Sequence, residues 1–350
     1  MAGGKMVVEA RNLPWIFSSW PRDRDPKGMP PDYPKTKSRL AVTVLAAFFT
    51  WQAHNCGKTC GPVLASSAMT LVASLWSPGL GQAAFAGSFA GMSSLGVMSS
   101  WKDILLAGSV TAGLFEIFIH RQNKCLGLGG RLGFIAFVAT NLVTLLVNNG
   151  SFSALFPTGA AGAVGLPFVG GTTMSTFLAA IQSGPLITAA ICSALGAVAT
   201  IVLRESAEGA SDDMSDPVRA SAVVGLIAAL LIGIHGSYSD FGALMAFGGS
   251  FTGMSLPSRL VKGVYPGGKK RSVPRPSTTI FCFAAAGALG GLIHAATIGL
   301  KWWSVPAGWG GKAGACAFGG VLVFRGIEKI VYAIRQAFWG KEKPNYGELY

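Results

Sequence analysis

Two short runs of glycine, serine and phenylalanine carry small polar groups that could bind a solute. One runs from Phe85 to Ser93 and the other from Phe247 to Ser255, and both follow the pattern Phe-x-Gly-Ser-Phe-x-Gly-Met-Ser. Each glycine inside a helix costs about 1 kcal/mol relative to alanine, so we expect broken helices there. Freed backbone groups and serine hydroxyls could then bind a small solute. The candidate residues are Gly87, Ser88, Phe89, Gly91, Ser93, Gly249, Ser250, Phe251, Gly253 and Ser255.

The glycines of these runs have a second interpretation. Small residues four positions apart let membrane helices pack closely, without any role in binding. The two interpretations stay open, with the repeated serine and phenylalanine slightly favouring a lined path through the protein.

Two ionisable residues fall inside apolar segments, where such groups often mark function. Glu116 stands late in the segment 104–120, so it could line a path or simply pair with Arg121 or Lys124. His294 stands near the middle of its segment. It is either a neutral structural histidine or a group that binds substrate or protons.

A third candidate is the run Gly170-Gly171-Thr172-Thr173-Met174-Ser175-Thr176-Phe177. It resembles the broken-helix signature of the small fluoride channels, in which a glycine pair precedes a Thr-Thr-Phe-Ser-Thr-Phe stretch. Met174 stands where that signature has its first phenylalanine. The resemblance is local; it makes Thr172 and Thr173 candidates for a solute path and leaves fluoride a minor alternative.

The cysteines and the missing catalytic motifs limit the chemistry further. Cys56 and Cys60 form the one close cysteine pair, which predicts a local disulfide if it faces an oxidising compartment. Neither a second pair nor a histidine stands at metal-ligand spacing, so we expect no metal and no cofactor. The motifs of serine hydrolases, zinc proteases and P-loop enzymes are missing, so we do not expect an enzyme.

The composition predicts an integral membrane protein. Of the 350 residues, 51% are hydrophobic and only 12% are charged, about half the charged fraction of soluble domains. The net charge of +13 comes from lysine and arginine in the tails and short loops. That placement follows the positive-inside rule and argues against a nucleic-acid partner.

The apolar runs predict an all-α, multi-pass protein that crosses the lipid bilayer about nine or ten times. The runs are roughly 39–55, 61–77, 81–99, 104–120, 131–148, 157–181, 186–203, 218–236, 279–300 and 310–334, with 241–256 entering and returning. Basic loops at 121–131 and 259–275 predict that both termini are cytoplasmic, with the acidic loop near 205–216 on the opposite side.

The recurrence of the Gly-Ser-Phe run predicts an internal duplication. With the orientation above, the two repeats would be parallel, as in one class of transporters. The predicted organisation is a Pro-rich tail (1–38), a first span with the cysteine loop (39–60), repeat 1 (61–181), a linking span and acidic loop (182–217), repeat 2 (218–334) and a C-terminal tail (335–350). We therefore expect a transporter or channel for a small anion or polar neutral molecule. The alternative is a non-transporting subunit of a homo-oligomer or larger membrane complex.

Overall fold

The computed structural model describes residues 33–56, 60–121, 125, 127–151, 155, 184–207, 216–232, 237–261, 276–299, 302–303 and 308–339. Within these ranges the regular structure is entirely helical. The helices are α1 (Tyr33–Asn55), α2 (Pro62–Trp76), α3 (Pro78–Gly91), α4 (Trp101–Phe115), α5 (Arg131–Val147), α6 (Gly184–Ala207), α7 (Pro217–Ile232), α8 (Ser237–Gly253), α9 (Pro257–Leu260), α10 (Pro276–Gly299) and α11 (Lys312–Trp339). A π-helical turn, Glu116–Arg121, extends α4. The predicted segment 157–181 lies outside the described residues.

Local sequence signals explain where several helices begin. Ser100 and Asp103 form a capping box at the start of α4, with the Ser100 hydroxyl accepting from the Asp103 amide. Pro217 opens α7, where its missing N–H leaves no intrahelical bond unmade. The Asp216 carboxylate accepts a hydrogen bond from the Val218 amide at 3.2 Å.

The motif helices α3 and α8 each pack in parallel with an earlier helix. Gly87 and Gly91 of α3 meet Thr43 and Ala47 of α1 in the same order along the chain. α8 meets α6 in the same register, and the Arg204 side chain near the end of α6 reaches the end of α8. The acidic segment after α6 therefore starts at the same end of the bundle as the basic segment after α8. The prediction that it lies opposite was wrong.

The helices that precede the two Gly-Ser-Phe runs are antiparallel to each other. Ser74 near the end of α2 accepts a hydrogen bond from Arg219 near the start of α7. Midway along both helices, a Cβ on Gly225 would lie 2.5 Å from the Ser67 hydroxyl. This orientation contradicts the prediction that the two halves of the chain enter in the same direction.

The helices α5 and α11 also cross antiparallel. Both start at a glycine with left-handed backbone, Gly130 (φ 81°) and Gly311 (φ 75°). Gly133 and Gly314 meet at the crossing, where a Cβ on either would lie 2.6 Å from the Cα of the other. Only glycine permits so close an approach of two backbones.

The outer surface is strongly apolar. On α6, Ile187, Ile191 and Leu195 are 57%, 53% and 62% exposed and lie on one face at four-residue spacing. Two helical stretches, Pro185–Ser206 and Ser277–Ile298, are long and apolar enough to cross a membrane by length and composition. Shorter apolar helices cover Pro62–Trp76, Arg131–Val147 and Pro217–Leu231. These features support a membrane location.

Candidate functional site

The Gly-Ser-Phe runs lie in continuous helix, so the predicted helix breaks and the re-entrant segment at 241–256 were wrong. Helix α3 continues through Gly91, and α8 continues through Gly253. Both helices end only after the second glycine of the run. Ser93 and Ser255 lie just beyond the helix ends, and both are buried.

Close packing explains why helix persists through these glycines. A Cβ on Gly87 would overlap the carbonyl oxygen of Thr43, and one on Gly91 would overlap that of Ala47. In α8, the equivalent contacts are Gly249 with Ser193 and Gly253 with Ala197. The backbones of neighbouring helices therefore touch, as in the small-xxx-small interpretation. The packing energy gained there offsets the low helix propensity of glycine.

The serines of the two runs form matching hydroxyl pairs with the preceding helices. Ser88 Oγ lies 2.8 Å from Ser66 Oγ, and Ser250 Oγ lies 2.7 Å from Ser221 Oγ. Ser88 and Ser250 also donate to the backbone carbonyl three residues earlier. Sequence reasoning missed Ser66 and Ser221, although each stands in the helix directly before its Gly-Ser-Phe run.

Four buried phenylalanine rings meet where α3 approaches α8. The Phe89 and Phe251 ring centroids are 4.8 Å apart, and the Phe85 and Phe247 centroids are 5.9 Å apart. Within each helix the two rings lie 4.3 Å and 4.5 Å apart. Edge-to-face and tilted contacts at these distances are favourable for aromatic rings. We call these four residues the aromatic cluster; it fills the space between the two motif helices.

Buried hydroxyls without a hydrogen-bond partner lie close to the aromatic cluster. Ser67 Oγ and Thr252 Oγ1 are fully buried and bond to no other described residue. Ser67 adjoins the ring of Phe247, since a Cβ on Gly225 would touch both. Thr252 follows Phe251 directly in α8, so its side chain points about 100° around the helix from the Phe251 ring. Nearly all buried polar groups in proteins are hydrogen-bonded, so these two hydroxyls are available to a small polar molecule.

The carbonyl groups that end the two motif helices are capped by side chains from α1 and α6. His54 Nε2 lies 3.2 Å from the carbonyl oxygens of both Gly91 and Ser93. Arg204 donates to the Ser255 carbonyl at 3.0 Å. The Ser255 hydroxyl in turn accepts from the Gly129 amide at 2.9 Å, which ties the end of α8 to the start of α5.

Glu116 pairs with Arg39 of α1; Lys124 and the side chain of Arg121, the two partners considered in the sequence, lie outside what the structure describes. The Arg39 guanidinium donates to both carboxylate oxygens of Glu116, at 2.6 Å and 2.9 Å. Thr36 donates a longer bond to the same carboxylate. Arg39 and Glu116 are both buried. Their bidentate pair joins α1 to the end of α4, away from the aromatic cluster.

His294 is buried in α10, as its central position in an apolar segment predicts. Gly290, one turn earlier in α10, packs on Cys316 and Ala317 of α11. Because α10 and α11 are antiparallel, His294 lies level with the start of α11. Lys312 is the first residue of α11. His294 and Lys312 thus lie in a second polar region, apart from the aromatic cluster.

The remaining candidate residues add no described contact to the site. Cys56 and Cys60 are free thiols in the structure, so the disulfide stays a prediction. Thr172 and Thr173 lie outside the described residues. Among the residues that the structure describes, no group of histidine, cysteine or acidic side chains could hold a metal ion.

Comparison of the chain with models of protein families, with curated proteins and with solved structures finds no match.

Proposed function

We propose that this protein is a multi-pass membrane transporter or channel for a small anion or polar neutral molecule. The observation that carries the proposal is the unbonded, buried hydroxyl of Ser67, which lies against the Phe247 ring of the aromatic cluster. Thr252, on the same helix as that ring, provides a second unbonded hydroxyl, and the phenylalanine rings would close a path between the helices. No catalytic role or cofactor is part of the proposal.

The same contacts support an inverted, rather than parallel, duplication of the membrane core. Matching contacts recur in both halves, including the serine pairs and the glycines that open α5 and α11. Corresponding helices are antiparallel, as expected for repeats related by an axis in the membrane plane. Such transporters commonly bind their substrate where the repeats meet, and here the aromatic cluster lies at that meeting point.

The proposed topology places both chain termini at one end of the bundle. α1 starts near the end of α4, through the Arg39–Glu116 pair, and α11 runs toward that end. The loop before α5 lies at the same end, because the Leu256 amide donates to the Gly127 carbonyl at 2.8 Å. The lysine and arginine residues of these segments then favour the cytoplasmic side.

Solute flux into liposomes tests the proposal. Purified protein would be screened with halides, nitrate, sulfate, bicarbonate, urea and ammonium, beside a Ser67→Ala/Thr252→Val variant. We expect flux of one solute class in the wild type and clear loss in the variant. Ser109→Ala is the matched control, because Ser109 is exposed on α4 and bonds only its own helix. Unchanged flux in the double variant would contradict the proposed path.

A non-transporting structural subunit is the alternative, and the close glycine packing favours it. The Ser88 and Ser250 hydroxyls are satisfied and fully buried, as in an interface that only holds helices together. Ser88→Ala/Ser250→Ala therefore tests packing more than transport. No flux across the whole panel from well-folded protein, with stable partners co-purifying from native membranes, would support this alternative.

A further inference from the structure

A buried lysine stands at the start of α11. Lys312 is 5% exposed, and its ammonium donates to the carbonyl oxygens of Trp302 at 2.9 Å and Trp303 at 3.1 Å. Both acceptors are uncharged. Among the described residues no carboxylate pairs with Lys312, and the connecting segment 300–311 contains no aspartate or glutamate. An ammonium has three donors, so one donor remains for a ligand.

A buried histidine faces the same region. His294 is 4% exposed, and its imidazole forms no hydrogen bond with any other residue that the structure describes. The antiparallel packing of α10 on α11 brings it level with Lys312, as the contact of Gly290 with Ala317 shows one turn away. Two buried nitrogen-bearing side chains thus lie at the same level of adjacent helices, and in the part of the chain that the structure describes no carboxylate pairs with Lys312.

Uncompensated burial of a positive charge is unfavourable, and three features at this point favour an anion. They are the Lys312 ammonium, the unbonded His294 imidazole and the positive end of the dipole of the long helix α11. We propose that a small inorganic anion binds between Lys312 and His294 at the start of α11.

The site lies next to the end of α3. Gly310 precedes Lys312 closely, and a Cβ on it would lie 2.8 Å from both the Ala90 carbonyl and the Thr140 hydroxyl. The anion site itself is inferred from the contacts of Lys312 and His294. Its role as the entrance of a transport path rests on the proposed function, and that role would limit the transported substrates to anions.

The test is anion-dependent stability of the full-length protein in detergent. Sodium chloride or sodium nitrate would replace sodium gluconate at constant ionic strength, with the unfolding midpoint temperature followed as a function of anion concentration. A ligand that binds only the folded protein raises this midpoint in a saturable way. We expect that rise in the wild type, and an apparent affinity weaker by about tenfold or more in Lys312→Met.

Arg131→Met is the matched control. Arg131 follows Gly130 at the start of α5, as Lys312 follows Gly311 at the start of α11, but Arg131 is only half-buried. It should keep the wild-type anion response. If Lys312→Met does not fold, His294→Phe decides: it keeps a ring of similar size and should weaken the anion response.

No anion response in the wild type, or an equal response in the wild type and in the Lys312 and His294 variants, would overturn the site. Binding without flux in liposomes would leave the site standing and contradict the transport proposal. Flux without anion binding at Lys312 would contradict the anion site and leave the transport proposal standing.

Discussion

The buried ion pair between Arg39 and Glu116 joins two helices at one end of the bundle. Its two parallel hydrogen bonds have the geometry in which arginine binds carboxylate most strongly. Ala189 of α6 and Ala295 of α10 lie together in one apolar cluster, so that contact between two helices forms without a charge.

We predict that removing one partner of this pair harms stability more than removing both. Glu116→Ala removes the carboxylate that the buried Arg39 guanidinium binds and should lower the free energy of unfolding by about 3–5 kcal/mol. Arg39→Ala/Glu116→Ala should lose less, because both charges of the pair are then removed. The measurement is the unfolding midpoint in detergent for the three proteins. A double variant less stable than the single one would refute this.

Asp216 predicts a pH dependence of stability. Burial raises the pKa of its carboxyl, and the Val218 amide with the charges of Arg219 and Arg204 offsets only part of this effect. The folded protein therefore keeps the proton to higher pH than the unfolded chain. Stability contributed by this group is full below the unfolded pKa of about 4 and is lost as pH rises through the folded pKa.

Asp216→Asn should lose less stability than the wild type as pH rises, and it should be the more stable of the two proteins at neutral pH. Asparagine keeps an oxygen that can accept from the Val218 amide, so the start of α7 stays capped. Unfolding midpoints of both proteins between about pH 4 and pH 8 check this. An equal decline with pH in both would show that Asp216 is not responsible.

At the scale of helices, glycine sets the distance between α1 and α3 and between α6 and α8. Gly87→Ala must push α3 away from α1, because the new Cβ overlaps a backbone carbonyl that cannot move aside. We expect a loss of about 1–3 kcal/mol or more. Gly113→Ala is the control, since a Cβ there meets nothing within 4 Å. It should be neutral or stabilising by up to about 1 kcal/mol.

Thermal unfolding of the two glycine variants provides the comparison. Equal stability of Gly87→Ala and Gly113→Ala would mean that the helices are not in close contact at that point.

The apolar runs located most of the described helices to within a few residues, because burial and membrane length both act on local sequence. The start of α1 (Tyr33, against a predicted 39) and the end of α3 (Gly91, against a predicted 99) differ by more. The helix breaks predicted in the Gly-Ser-Phe runs were wrong. Helix propensity describes a residue in an isolated helix and does not include the packing energy gained when a neighbouring helix approaches closely. Arg39 was missed as the partner of Glu116 because the pairing is set by tertiary structure. Ser67 and Thr252 carry no sequence pattern that distinguishes them from packing residues.

At the scale of the whole molecule, the proposed topology makes a prediction about two native cysteines. Cys56 follows the end of α1, and Cys125 follows α4, which returns toward the start of α1. Both are exposed. In sealed vesicles, a membrane-impermeant maleimide should label a variant that retains only Cys56 from one side and a variant that retains only Cys125 from the other.

Labelling of both cysteines from the same side would contradict the multi-pass arrangement. The charge pattern alone could not settle this, because it placed the acidic segment after α6 on the wrong end. Contacts between α6 and α8 correct it, and they depend on tertiary packing that charge counts do not contain.

The most direct test of the transport proposal is the rate of solute flux when the aromatic cluster is made smaller. Phe89→Ala/Phe251→Ala removes the two rings whose centroids are 4.8 Å apart across the interface. Phe49→Ala is the control, because that ring is 49% exposed on the outer face of α1. We predict faster flux in the double variant and a wild-type rate in the control. No flux in any of the three proteins, with all of them folded, would contradict a path between α3 and α8.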